Sequence, residues 1–165
     1  MPDANPESYR IRPARPDEAA ALSALAMRSK AHWGYSDEFM AACHDELTWS
    51  AEQIDAPQYT FYVCTVENII VGFHALERLD AAFAELEALF VEPKYIGRGV
   101  GKALIEHAKD QARQLGTSSL VIQGDPNAEK FYLAAGAVCS GSRESRSITG
   151  RFLPLYTVDL TGIES

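Results

Sequence analysis

Cysteine is scarce and scattered: Cys43, Cys64 and Cys139 are odd in number and form no CxxC pair. That excludes a disulfide framework and a thiolate zinc site. The histidines, His32, His44, His74 and His107, fall at no ligand spacing either, so no metal is expected. No apolar run approaches the ~20 residues that a bilayer-crossing helix needs. The opening Met1-Pro2-Asp3-Ala4-Asn5-Pro6-Glu7 is polar and acidic, unlike a signal peptide, so the expectation is a cytoplasmic protein with no membrane partner. Positive charge is short as well: 15 Lys and Arg stand against 23 Asp and Glu, a formal net charge of -8. Such a chain repels a nucleic-acid backbone and releases few counterions on meeting one, which excludes nucleic acid as the expected partner. Internal repeats and low-complexity segments are also missing.

What is present describes a folded chain. Its 165 residues are 47% hydrophobic and 23% charged, enough to bury a full core. Residues 1–8 are expected to be a flexible terminus and 9–165 a single domain. Residues 9–14 alternate and stop at a proline, which reads as a first strand. Pro16, Asp17 and Glu18 open a helix with Ala19, Leu22, Leu25 and Ala26 at helical spacing, and Ser36 caps a second with Met40, Cys43 and Leu47 as its buried stripe. Segments 58–66, 69–77 and 82–91 read as an antiparallel meander. A third helix carries Val100, Leu104, Ala108, Ala112 and Leu115 and ends at Gly116. Leu120-Val121-Ile122 suits a central strand covered on both faces. A fourth helix follows Asp125-Pro126-Asn127 and stops at Gly136, and 137–142 with 151–160 form a final hairpin around an exposed loop.

The organising stretch is 86–104. A strand ends at Pro93, glycines follow at 97, 99 and 101, and an amphipathic helix begins directly after them. Glycine lets backbone approach a ligand and reach positive φ, while a helix start offers unpaired N–H groups and the positive end of its dipole. Lys94, Arg98 and Lys102 add cations, so the loop reads as a phosphate cradle. A dinucleotide fingerprint would need glycine at 102, which is Lys, and a P-loop would need Ser or Thr at 103, which is Ala.

Ile96-Gly97-Arg98-Gly99-Val100-Gly101 resembles the acyl-CoA loop of the GNAT superfamily of N-acyltransferases, except that Ile96 replaces its usual polar first residue. Asn127-Ala128-Glu129-Lys130-Phe131-Tyr132-Leu133-Ala134-Ala135-Gly136-Ala137 resembles the family's second motif, with Ala137 in place of Phe. The resemblance implies an α/β (α+β) GNAT fold: a mixed, mostly antiparallel sheet of about six or seven strands with about four helices on both faces. It implies acetyl-CoA as co-substrate and a small-molecule amine as acceptor; a homodimer is compatible with it. Backbone near Phe90 and Val91 would pair with the pantetheine arm, and the Val91 N–H would polarise the thioester carbonyl. Ile96, Gly97, Arg98, Gly99, Val100, Gly101, Lys102 and Ala103 would surround the pyrophosphate, with the N–H groups of 98–103 as donors. Asn127 would bond the pantetheine and Phe131 would pack on the coenzyme. His32, Trp33, Tyr35 and Arg151 would line the acceptor pocket, although Trp33 and Tyr35 would equally serve to staple the first two helices together.

The chemistry asks for a base and an acid. An amine of pKa ~10.4 is almost wholly protonated at neutral pH, and freeing it costs about 4 to 5 kcal/mol. Glu85 and Glu87, two apart on a strand, share a face unless a bulge intervenes; by alignment Glu85 is the better base, with Glu87 close behind. Tyr132 is the expected acid for the departing thiolate, the alternative being a core aromatic. A rival acyl-enzyme route through Cys139 lacks a local His or Lys to activate it. Two further readings are an acyl-CoA sensor without transferase activity, suggested by Ile96 and Ala137, and a toxin acting on aminoacyl-tRNA, disfavoured by charge.

Overall fold

A computed structural model of the chain describes residues 9–161. The expectation of a flexible terminus over 1–8 lies outside the described residues. Seven strands form one sheet: β1 (Tyr9–Pro13), β2 (Tyr59–Val66), β3 (Ile69–Arg78), β4 (Phe83–Val91), β5 (Ser119–Gln123), β6 (Val138–Glu144) and β7 (Phe152–Asp159), in the order β1-β2-β3-β4-β5-β7-β6. Among the described residues only β4 and β5 pair in parallel; every other ladder is antiparallel. The meander and the final hairpin form as their turns require. Glu67 and Asn68, between β2 and β3, both take positive φ, the two-residue geometry that matches strand twist.

The helices are α1 (Ala19–Ala31), α2 (Asp37–Ala42), α3 (Ala51–Asp55), α4 (Val100–Gln114) and α5 (Glu129–Ala134). Leu22, Leu25 and Ala26 of α1 join Trp49 and Ile54 in covering Phe61, Val63, Phe73 and Ala75 on one face of the sheet. Ile105, Ala108 and Ala112 of α4 cover Leu76, Ala84, Leu86, Leu120 and Ile122 on the other. Arg28 grips Glu92 through two bonds of 2.6 and 3.1 Å, tying α1 to the end of β4. Among the described residues no helix is long and apolar enough to cross a membrane.

Two departures from the sequence expectations concern α2 and α3. The second helix stops at Ala42 rather than running on to Leu47, because the backbone turns over 43–47 and the Thr48 hydroxyl takes the His44 carbonyl at 2.7 Å. Cys43 and Leu47 are buried all the same. The unexpected α3 is opened by a capping box: Ser50 Oγ accepts from the Gln53 N–H at 3.1 Å and Gln53 Oε1 accepts from the Ser50 N–H at 2.9 Å.

Two irregularities in β4 shape the site. Pairing with β5 runs only from Phe83 to Leu86, whereas pairing with β3 continues to Val91, so the last residues of β4 have a free edge. A bulge at Glu87 interrupts the β3 ladder, where Ala75 faces Ala88 but Leu76 faces Leu86. The extra residue switches the strand's alternation. Ala84 and Leu86 pack toward α4, while Ala88 and Phe90 pack toward α1.

Candidate active site

The loop after β4 is held open by its own backbone. Gly97 (φ +83°) and Gly99 (φ +90°) sit in the left-handed region, and Gly99 is the N-cap of α4. The amides of Arg98 and Ala103 bond to the carbonyls of Tyr95 and Gly99, at 3.2 and 3.1 Å. Among the described residues the N–H groups of Gly97, Gly99, Val100, Gly101 and Lys102 have no backbone acceptor. The side chains of Lys94, Arg98 and Lys102 are exposed beside them, and the Arg98 guanidinium lies 4.7 Å from the Tyr95 ring centre. Gly101 backs onto Phe131, where an added Cβ would stand 3.2 Å from the ring. Donors, cations and dipole all suit a diphosphate.

Where β4 and β5 part, a cavity of about 410 Å³ opens. Phe90, Val91, Ile96, Asn127, Phe131 and Tyr132 border it, together with Trp33, Glu85 and Glu87. The Glu92 N–H bonds Val71 O at 2.8 Å on the β3 side. By strand alternation the Val91 N–H therefore points to the free edge of β4. Tyr132 is buried, and its hydroxyl is pushed above the ordinary phenol range by burial first, then by Asp125 and Tyr156. It stays protonated throughout the neutral range, as a proton donor must.

Two carboxyls of β4 line the same cavity. Glu85 is buried and accepts from Arg143 Nη1 at 2.9 Å. Glu87 is 3.8 Å from Arg146, and its Oε2 is buried with no hydrogen-bond partner among the described residues. Burial first, then the neighbouring carboxyls of Glu77 and Glu85, push the Glu87 carboxyl up to about 8.

A polar network fastens the second motif. Asp125 accepts from the Asn127 backbone at 2.8 Å and its side-chain amide at 2.9 Å, from Lys30 at 3.0 Å and from the Tyr35 hydroxyl at 2.8 Å. Burial alone would raise the Asp125 carboxyl, but these donors outweigh it and hold it below its usual range. Of the residues expected in the acceptor pocket, only Trp33 borders the cavity. Tyr35 stacks on Phe39 at 4.1 Å and joins the network; Arg151 donates to its hydroxyl at 3.3 Å; His32 caps α1 and meets the Trp33 ring edge-on at 5.5 Å.

Sequence reasoning passed over Lys30, Glu77, Asp125, Arg143 and Arg146. Signals existed for two of them: Asp before Pro126-Asn127 is an N-cap pattern, and the short β3–β4 turn places Glu77 opposite Glu85. The arginines lie in a segment whose reach depends on tertiary packing. Among the described residues no group of His, Cys, Asp and Glu could hold a metal ion.

The fold has counterparts among known proteins. In structure the chain is similar to a GCN5-related N-acetyltransferase from Rhodopseudomonas palustris, with a TM-score of 0.76 at 24% identity over 96% of this chain and 99% of that one. It is also similar to the PaiA N-acetyltransferase of Thermoplasma acidophilum in complex with coenzyme A, with a TM-score of 0.73 at 17% identity over 93% and 99%. A curated relative, an uncharacterized N-acetyltransferase from the pepI 3′ region of Lactobacillus delbrueckii subsp. lactis, is 29% identical over 94 residues. The match covers 51% of this chain and 54% of that protein, so the chain spans about half of its length. The family model for the acetyltransferase (GNAT) domain matches residues 18–149, which take in the glycine loop, the parted strands and the Asn127–Tyr132 segment: the chain belongs to the GNAT acetyltransferase family.

Proposed function

We propose that the protein is an N-acetyltransferase that moves an acetyl group from acetyl-CoA to a primary amine of a small molecule by direct attack. The observation that carries this reading is the convergence, in one cleft, of the free β4 edge at Val91, the buried Tyr132 and the unpaired Glu87 carboxyl, beside a loop of unbonded amides. The N–H groups of Gly97, Gly99, Val100, Gly101 and Lys102 hold the diphosphate. Asn127, fixed by Asp125, bonds the pantetheine arm, and Phe131 packs against it. The co-substrate supplies an activated thioester.

Glu87 accepts one proton from the incoming ammonium, directly or through a water. Glu85 is already held by Arg143, so the reading assigns it the neighbouring charge and leaves the base to Glu87, whose Oε2 is free. The freed nitrogen forms the C–N bond while the Val91 N–H faces the developing oxyanion. As the C–S bond breaks, the Tyr132 hydroxyl gives its proton to the sulfur, and the second proton lost by the nitrogen restores Tyr132 through solvent. The sum is an amide, a free thiol and one proton left on the base.

Free thiol released from acetyl-CoA in the presence of an amine panel tests the reading. Turnover is expected with at least one amine, with kcat/KM rising with pH and levelling above about 8, because Glu87 must be ionised to act. Glu87→Gln is expected to lower kcat about 100-fold or more and to remove that inflection. Thiol release no faster than hydrolysis with every amine would contradict it.

A further inference from the structure

The cavity is lined by more carboxyls than the transfer itself uses. Its wall holds Asp45 and Glu46, from the segment after α2, and Glu85 and Glu87 on β4. Glu77 stands opposite Glu85 in the ladder and adds to the surroundings that raise the Glu87 carboxyl. The cations near these carboxyls are Arg143 and Arg146, and Lys30, also on the lining, is committed to Asp125 at 3.0 Å. Arg143 is committed to Glu85 at 2.9 Å and to Gln123 Oε1 at 3.1 Å. Arg146 is 3.8 Å from Glu87, beyond hydrogen-bond reach, and its side chain is 58% exposed. Glu46 is oriented by the Ser147 hydroxyl, and the Asp45 side chain is fully exposed at the rim. Independently of the charge count, Glu87 Oε2 on this wall is buried without a partner among the described residues. A buried carboxyl oxygen in that state is costly until a partner arrives.

We propose that the acceptor is a short amine carrying a second positive charge and no carboxylate, a diamine or small polyamine. This rests on the acetyltransferase reading above and narrows it. The reacting nitrogen enters beside Glu87, and the second ammonium is held by Glu46 and Asp45. A carboxylate on the acceptor meets like charge on this wall, because Arg143 is occupied and Arg146 is largely in solvent. The length limit follows from volume: about 410 Å³ must also admit the thioester end of the coenzyme.

Acetylation kinetics with four-carbon amines of equal length separate the outcomes: butylamine, putrescine and γ-aminobutyrate, with spermidine as the longer probe. Putrescine is expected to exceed butylamine in kcat/KM about tenfold or more, the worth of one charge-assisted contact, and γ-aminobutyrate to fall below both. The advantage of putrescine is expected to shrink at high salt, and Glu46→Gln to narrow it. Equal use of butylamine and putrescine, or preference for γ-aminobutyrate, overturns the dication assignment while the transferase reading stands. Thiol release with none of these amines, but with an amine of another class, likewise sinks this assignment alone. No release with any amine sinks both.

Discussion

At the scale of single residues, Tyr132 and Glu87 have opposite requirements, and burial serves both. Low dielectric disfavours the charged form of each: it keeps the phenol protonated and ready to donate, and it keeps the carboxyl avid for a proton. Tyr132→Phe removes the hydroxyl and leaves the ring that packs on Phe131 at 5.1 Å and Tyr156 at 5.8 Å. It is expected to lower kcat roughly 100-fold with coenzyme A affinity unchanged within about twofold, as measured by steady-state kinetics and calorimetry. The raised Glu87 carboxyl also has a stability signature. Its folded-state pKa, near 8 against an ordinary 4.5, means that the folded form binds the extra proton. That stabilisation is complete below about 4.5 and is lost as pH rises through 8. Glu87→Gln is expected to flatten the decline in chemical-denaturation stability over that window.

At the scale of elements, the site is made by a strand that leaves its neighbour early, a loop that needs glycine, and a turn that is pinned. Gly99 at φ +90° caps α4, and an L side chain there costs ~1–2 kcal/mol. Gly99→Ala is expected to lower unfolding free energy by about that amount and to weaken coenzyme A binding severalfold, as read by denaturation and titration. Asp125→Ala frees Lys30, Tyr35 and Asn127 together. It is expected to cost ~2 kcal/mol in stability and to raise KM for acetyl-CoA more than it lowers kcat.

These elements differ in how far the sequence announced them. The glycine loop and the Asn127–Tyr132 motif were legible because their residue types are dictated by local backbone and helix-start chemistry. So were the meander and α4, through periodicity and turn residues. The bulge at Glu87 was not, because no residue type there demands it; it arises from how β3 and β4 settle their register around different cores on each face. The Ser50-Gln53 box was readable but lay in a segment too short to show a helical period. The contacts that Tyr35 and Arg151 make with Asp125 and Phe39 bring together distant parts of the chain.

At the scale of the whole molecule, the sheet separates one core under α1 and α3 from others under α4 and α5, and the cleft lies where the sheet parts. The face under α4 also contains a buried histidine. His74 is fully buried on β3, shares a 3.0 Å hydrogen bond with His107 of α4, and leaves Nδ1 without a partner among the described residues. Burial and the neighbouring imidazole hold it down to about 3 from an ordinary 6.5. The neutral ring is therefore favoured by folding, a contribution complete above about 6.5 and lost as pH falls toward 3. His74→Phe is expected to give a shallower acid limb in a plot of unfolding free energy against pH.

The diphosphate cradle is the feature on which the functional account stands, and backbone amide NMR during a titration with coenzyme A tests it most directly. Saturable shifts concentrated on the amides of Gly97, Gly99, Val100, Gly101 and Lys102 are expected. Saturable binding that leaves those amides still, or no binding at all, would contradict it.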